Sequence, residues 1–326
     1  MTLSEFKDHL NNWGSNRIPF FFCVDFELEK PFAVKLEDVD AKKIVFNING
    51  VSNASPLPLA GNEAGLRGLK KFPIPFSEYE SKFNAILQHL EYGDSFLTNL
   101  TVKTKIETHQ SLCEIFHLCN AKYKLLLNDQ LLVFSPETFI QIRDGKIFSY
   151  PMKGTIDASI AAAEEVVLND QKEKAEHITI VDLIRNDLSL VSENVHVSRF
   201  RYIDKIKTSD KDLLQVSSEV CGTLPTDYHD HLGDILTSLL PAGSISGAPK
   251  QKTIEIIAEA EEEKRGYYTG VFGYFDGKNL DSGVMIRYIE QINNHLYYRS
   301  GGGITTQSDA KTEYQEVIYK VYVPID

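Results

Sequence analysis

Strand-like segments dominate both halves of this 326-residue chain, and its helix-like segments are grouped between them instead of alternating with them one for one. Parallel doubly wound sheets need a crossover helix after nearly every strand, whereas antiparallel sheets do not. The grouping therefore favours an α+β fold with antiparallel sheets. Short strands are expected over 18–26 and 43–49, in a strand-rich opening that runs to about residue 60. A helix is expected over 76–93, where Phe83, Ile86, Leu87 and Leu90 recur at helical spacing, with Ser77 as N-cap and Gly93 as stop. Residues 95–106 alternate as a strand and 111–119 read as a helix. Residues 123–134 and 139–150 read as a strand pair, the second member holding an Asp144-Gly145 turn. The stretch 161–190 is helical, strands return at 195–203 and 213–222, and helices follow Asp230 and Pro249. Strands at 268–275, 282–290 and 295–301 precede a last helix over 311–320. No repeat and no Gly/Ser- or Pro-rich linker divides the chain, so one large domain over 1–326 is expected.

The formal net charge of −12 argues against nucleic acid as partner, since phosphate is repelled overall. A small dianion is still compatible if basic groups or a metal are concentrated in a cleft. The four cysteines, Cys23, Cys113, Cys119 and Cys221, show no zinc-like spacing. Cys113 and Cys119 flank His117, but as small apolar side chains on a buried helix face they need no metal. Residues 1–12 are polar and lack a signal-peptide core, and apolar runs such as 18–22 are far too short to span a bilayer. The cytoplasm is the expected compartment.

Lys153 sits between Pro151 and Gly154 at the end of an apolar strand, which suggests a turn that constrains its amine. A nucleophilic lysine must lose its proton, and partial desolvation is expected to lower its pKa. Glu137, just before the 139–150 segment, is the acid/base partner if the sheet brings the two together. Glu173/Glu176 and Glu313/Glu316 are two Glu-x-x-Glu pairs, each projecting two carboxylates from one helix face. They either cradle a hard cation such as Mg²⁺ or decorate a solvated helix surface paired with nearby lysines. Asp182 and Arg185 share a helix face as a buried ion pair or a substrate contact. The small-residue run Gly243 to Lys250, opening a helix at Pro249, and the glycines after Ser300 are each a turn or a place where an anion meets the backbone. Arg287 within a strand, and Tyr268, are anion and hydroxyl contacts or structural groups.

Eight motifs occur in order: Ser135-Pro136-Glu137, Pro151-Met152-Lys153-Gly154-Thr155, Glu173 to His177 with the Val181 to Asp187 run, Gly243 to Lys250, Arg265 to Gly270, Ile286-Arg287, the glycine triplet Gly301 to Gly303, and Glu313 to Lys320. Together, over about 76–321, they resemble the chorismate-utilising enzymes. The resemblance implies two large packed antiparallel sheets with helices outside. Lys153 resembles the aminodeoxychorismate-forming branch, since anthranilate-forming relatives typically have alanine there. Leu97 seats at the point where isochorismate- and salicylate-forming relatives carry a water-activating lysine, and leucine cannot deprotonate water.

That resemblance implies Mg²⁺ held mainly through Glu176 and Glu316, with Glu173 and Glu313 nearby, against the ring carboxylate of chorismate. It implies that Lys153 adds at ring carbon 2 while Glu137 protonates the departing 4-hydroxyl, and that ammonia then adds at carbon 4. Tyr268, Arg287, Gly302, Gly303 and Lys320 match positions around the enolpyruvyl side chain, and Ser246 with Gly247 line the ring pocket. No glutaminase motif is present, so a separate glutamine amidotransferase subunit or free ammonium is expected to supply the nitrogen. The sequence departs from the family at Gln215, where many relatives have histidine, and after Thr155, where an arginine is often found. Its short N-terminal region implies that the tryptophan feedback site of longer relatives is absent.

Overall fold

In the computed structural model, residues 1–55, 68–206 and 212–325 are described, and the end of the expected strand-rich opening, 56–60, lies outside them. Among the described residues the strands form two nine-stranded antiparallel sheets. The first runs, edge to edge, through Met152–Asp157, Leu213–Thr223, Lys146–Ser149, Thr138–Arg143, Leu280–Val284, Val271–Phe275, Phe20–Val24 and Phe32–Lys35, with Glu193–Ile206 also paired to Leu213–Thr223. The second runs through Gly247–Ala248, Leu97–Glu107, His295–Ile304, Tyr288–Ile292, Leu131–Ser135, Tyr123–Leu127, Ile44–Ile48 and Val51–Ser52, with Lys70–Phe72 on Leu97–Glu107.

The strand Phe20–Val24 shows how the layers stack, because all five of its residues are buried. Successive side chains alternate between faces. Phe20, Phe22 and Val24 pack with Phe6, Leu10, Ile184 and Leu236 under the helices Leu3–Ser15, Gln171–Ser189 and Leu232–Leu239. Phe21 and Cys23 point the other way, against Phe46, Tyr123, Leu125 and Val133 of the second sheet. The far face of the second sheet is covered by Phe76–Tyr92, Lys250–Glu261 and Ala310–Tyr319 through Phe83, Ile86, Ile256 and Val317. The expected α+β sandwich with outer helices is therefore the fold.

Several local expectations are corrected. The helix Phe76–Tyr92 is capped by Pro75, not Ser77, and ends as expected on left-handed Gly93. Each of 123–134 and 139–150 is itself a hairpin, the first in the second sheet and the second in the first. Asp170 splits the helical middle by capping Gln171–Ser189 through its side chain. The segment 282–290 is two strands in different sheets, parted where Arg287 adopts φ 54°. The glycine triplet is strand interior, with Gly302 opposite Leu100. Asp182 and Arg185 pair at 2.9 Å on the exposed surface, not in the interior. The N-terminal helix Leu3–Ser15 was not anticipated, although Thr2 and Glu5 form a capping box at its start. Cys119 is buried with Ile115 and Phe116, with Cys113 packed beside them, as an apolar helix face requires. Among the described residues, no helix is long and apolar enough to cross a membrane.

Candidate active site

The two sheets exchange strands at two corners, and each corner carries a candidate site residue. Glu137 lies where the chain leaves Leu131–Ser135 for Thr138–Arg143, and Arg287 where it leaves Leu280–Val284 for Tyr288–Ile292. The corners bond each other: the Val284 amide donates to the Glu137 carbonyl at 3.1 Å and the Phe134 amide to the Arg287 carbonyl at 3.0 Å. Sheet corners break the ladder and free side chains to turn inward.

Between them lies a cavity of about 180 Å³, walled by both sheets, the helix Gln171–Ser189 and the short helix Gly243–Ser246. Ten of the thirteen residues singled out from the sequence line it: Glu137, Lys153, Glu176, Ser246, Gly247, Tyr268, Arg287, Gly302, Gly303 and Lys320. Glu173, Glu313 and Glu316 are not among the lining residues. Lys153, Arg287, Arg299 and Lys320 face Glu137 and Glu176, four cations to two carboxylates. An acidic chain thus gathers positive groups in one cleft, where they can meet a small dianion.

Lys153 is on the edge strand Met152–Asp157, and the register against Leu213–Thr223 shifts between Met152 and Thr155. It therefore sits in a bulge, which re-aims its side chain, and not in the turn expected from Pro151 and Gly154. Gly154 has φ +88° there, and a Cβ on it would meet Val167 at 3.3 Å and Glu173 Oε2 at 3.5 Å. Lys153 Nζ lies 2.6 Å from Glu176 Oε2. Burial pulls the ammonium down, but Glu176, with Glu173 and Glu316 adding, outweighs it and holds Lys153 above its ordinary value, opposite to the expected shift. Lys320, also in the cavity lining, is lowered by burial, although Glu316 lies 2.6 Å from its Nζ.

Burial raises the Glu137 carboxyl, opposed by a hydrogen bond donated by Ser244 Oγ. A raised carboxyl keeps its proton more readily than a free one, the direction a general acid needs. Tyr268 is pushed up to about 12 by burial, so its hydroxyl stays neutral. Arg287 donates to the Lys320 carbonyl at 2.9 Å and lies over the Tyr322 ring at 4.7 Å, which fixes its fork. Ser246 bonds back to the Ala242 carbonyl at 3.0 Å, so it shapes the wall. Gly247 has φ 138°, and a Cβ on it would strike the Leu97 carbonyl at 1.9 Å. Gln215 lies opposite Thr155, two strand positions from Lys153.

The four helix carboxylates are an all-oxygen set of the kind a hard cation takes. Glu173 Oε2 is buried without a hydrogen-bond partner, and burial raises its carboxyl, with Glu176, Asp170 and Glu316 adding to the rise. That is the signature of a carboxylate wanting a cation. Among the described residues the side chains do not converge into a three-ligand group as they stand, with Lys153 and Lys320 each drawing one carboxylate.

Two residues with a hand in the site were not singled out individually. Ser244 contacts Glu137 from 107 residues away, and Arg299, buried and bonded to Glu290 at 2.6 Å, adds charge to the cavity. Only their membership in a small-residue run and a strand was visible in the sequence.

A sandwich of antiparallel sheets thus closes around the cavity, and its class is named by sequence comparison. The chain belongs to the chorismate binding enzyme family, whose profile matches residues 36–326. An uncharacterized PabA-like protein of Haemophilus influenzae is 51% identical over 100% of this chain and 98% of its own length. Aminodeoxychorismate synthase component 1 of Klebsiella aerogenes is 34% identical over 75% of this chain, and the match spans 56% of that protein. Anthranilate synthase component I of Streptococcus pneumoniae superposes with TM-score 0.67 at 27% identity, covering 82% of this chain and 62% of that one. The menaquinone-specific isochorismate synthase of Escherichia coli, 15% identical, shares the fold over 98% of this chain and 81% of its own, with TM-score 0.72.

Proposed function

We propose that this chain converts chorismate and ammonia into 4-amino-4-deoxychorismate and water, as an aminodeoxychorismate synthase component 1. The observation that carries the reading is that Lys153 and a half-buried Glu137 line one cavity together with Arg287 and Lys320. Arg287 and Lys320 offer positive charge to the carboxylate of the enolpyruvyl arm, and Tyr268 a neutral hydroxyl. The reactive form of Lys153 is the free amine, so its 2.6 Å pair with Glu176 must open and its ammonium give a proton to water, which it regains when the cycle ends. The Lys153 nitrogen then bonds to ring carbon 2, the double bond shifts, and the carbon 4–oxygen bond breaks. Glu137 gives the departing hydroxyl its proton, so that water leaves. Ammonia bonds to carbon 4, the double bond shifts back, and the bond to Lys153 breaks. A proton of the added nitrogen restores Glu137, so the chain ends unchanged.

Mg²⁺ fits this chemistry. Glu176 and Glu316, with Glu173 and Glu313 behind, would hold it, and it would supply charge that polarises the ring carboxylate. The nitrogen would come from a separate glutamine amidotransferase, and the product would serve p-aminobenzoate and folate synthesis in the cytoplasm. The PabA-like name of the 51% identical relative supports such a pairing.

The test is product identity by mass after incubation with chorismate, Mg²⁺ and ammonium, with and without a glutamine amidotransferase. Aminodeoxychorismate is the expected product. Anthranilate would contradict the reading and overturn the argument from Lys153.

A further inference from the structure

Arg265 is 1% exposed, and each of its five guanidinium N–H groups has an acceptor. Nε and Nη2 grip the two oxygens of Glu261 at 2.9 and 2.6 Å. Nη2 also donates to the Asn99 carbonyl at 2.7 Å, and Nη1 to the Ile245 carbonyl at 3.1 Å and Thr269 Oγ1 at 3.4 Å. Phe26 stacks on the guanidinium at 4.6 Å. Asn99, Ile245 and Thr269 belong to three different walls of the cavity.

The wall at Ile245 has a consequence for the acid. Gly243–Ser246 is four residues long and has no side-chain cap at its N-terminus. A single turn cannot hold its own place, so its neighbours must hold it. Ser244, one residue before the carbonyl that Arg265 grips, donates its hydroxyl to Glu137. We propose that Arg265 is a positioning residue for Glu137: its fork fixes the Gly243–Ser246 turn, and that turn presents Ser244 to the acid. The role rests on Glu137 being the acid of the reaction proposed above.

Lysine at 265 keeps the charge but can serve only one wall at a time. Arg265→Lys is expected to fold, to lose roughly 10- to 100-fold in kcat with ammonium, and to change the chorismate dissociation constant less than about threefold. Ser244→Ala should lose kcat in the same range, and the double variant should be no worse than Arg265→Lys alone. Additive losses, or a loss of chorismate affinity as large as the loss of kcat, would overturn the proposal. If Arg265→Lys does not fold, Glu261→Gln loosens the same fork and is held to the same outcomes. A crystal structure of the folded variant gives an answer that does not depend on turnover. Ser244 should have left hydrogen-bond distance of Glu137, and an intact contact overturns the proposal. Failure of the unaltered chain to turn over chorismate would instead count against the reaction, with the crystal structure still judging the fork.

Discussion

Lys153 Nζ stands 2.6 Å from Glu176 Oε2, pairing the candidate nucleophile with a candidate metal ligand. Glu176, with Glu173 and Glu316 adding, holds Lys153 above its ordinary value against the pull of burial. In chelator-treated protein, Glu176→Gln should therefore lower the lysine pKa and speed labelling of Lys153 by an amine-reactive reagent several-fold at pH 8. Peptide mass spectrometry reads the rate, and an unchanged rate would show that the pair does not control the amine.

Glu137→Gln keeps the shape of the acid and removes its proton. A loss of roughly 10² to 10⁴ in kcat is expected, with chorismate binding retained. Because burial raises Glu137, activity should fall as pH rises through a value above the ordinary carboxylate one. Steady-state rates across pH, beside a binding titration, measure both effects.

Gly302 has ordinary backbone angles, and a Cβ there would lie 3.4 Å from Glu313 Oε2 and 3.8 Å from Lys320 Nζ. Alanine should be tolerated. Valine would push between those two groups and should raise KM for chorismate roughly tenfold with melting temperature little changed, a loss of about 1.4 kcal/mol in binding. Equal KM values for the two variants would remove Gly302 from the site.

His177 is buried, with Nε2 2.7 Å from Ser218 Oγ, and burial with Arg201 nearby pushes it down to about 4. The unfolded chain takes up a proton near pH 6.5 that the folded chain refuses until about pH 4. Stability from this group is thus complete above 6.5 and lost as pH falls towards 4, by about 3 kcal/mol in all. Urea unfolding at pH 7 and pH 5 should show the slope, and His177→Gln should flatten it.

The sequence made the fold class legible because helix and strand periodicities and caps are local. Ser111 caps Leu112–Leu118 and Gly93 ends Phe76–Tyr92 as their residue types dictate. The sheet corners were not legible: nothing local in 282–290 says that the chain changes sheets at Arg287, since that is set by pairing with distant strands. The cavity lining was recovered largely through ordered motifs. Glu137 could be named from its motif, whereas Ser244 and the fork of Arg265 gain their roles only from contacts that the fold creates. The sign of the Lys153 shift was likewise out of reach, because it depends on which of four glutamates lies nearest.

The most direct measurement is the mass of the protein after mixing with chorismate and Mg²⁺ in the absence of ammonia. The account predicts an adduct on the peptide bearing Lys153 with the mass of chorismate less one water, discharged to aminodeoxychorismate when ammonium is added and absent in Lys153→Ala. Full turnover by Lys153→Ala, with no adduct on the unaltered chain, would contradict it.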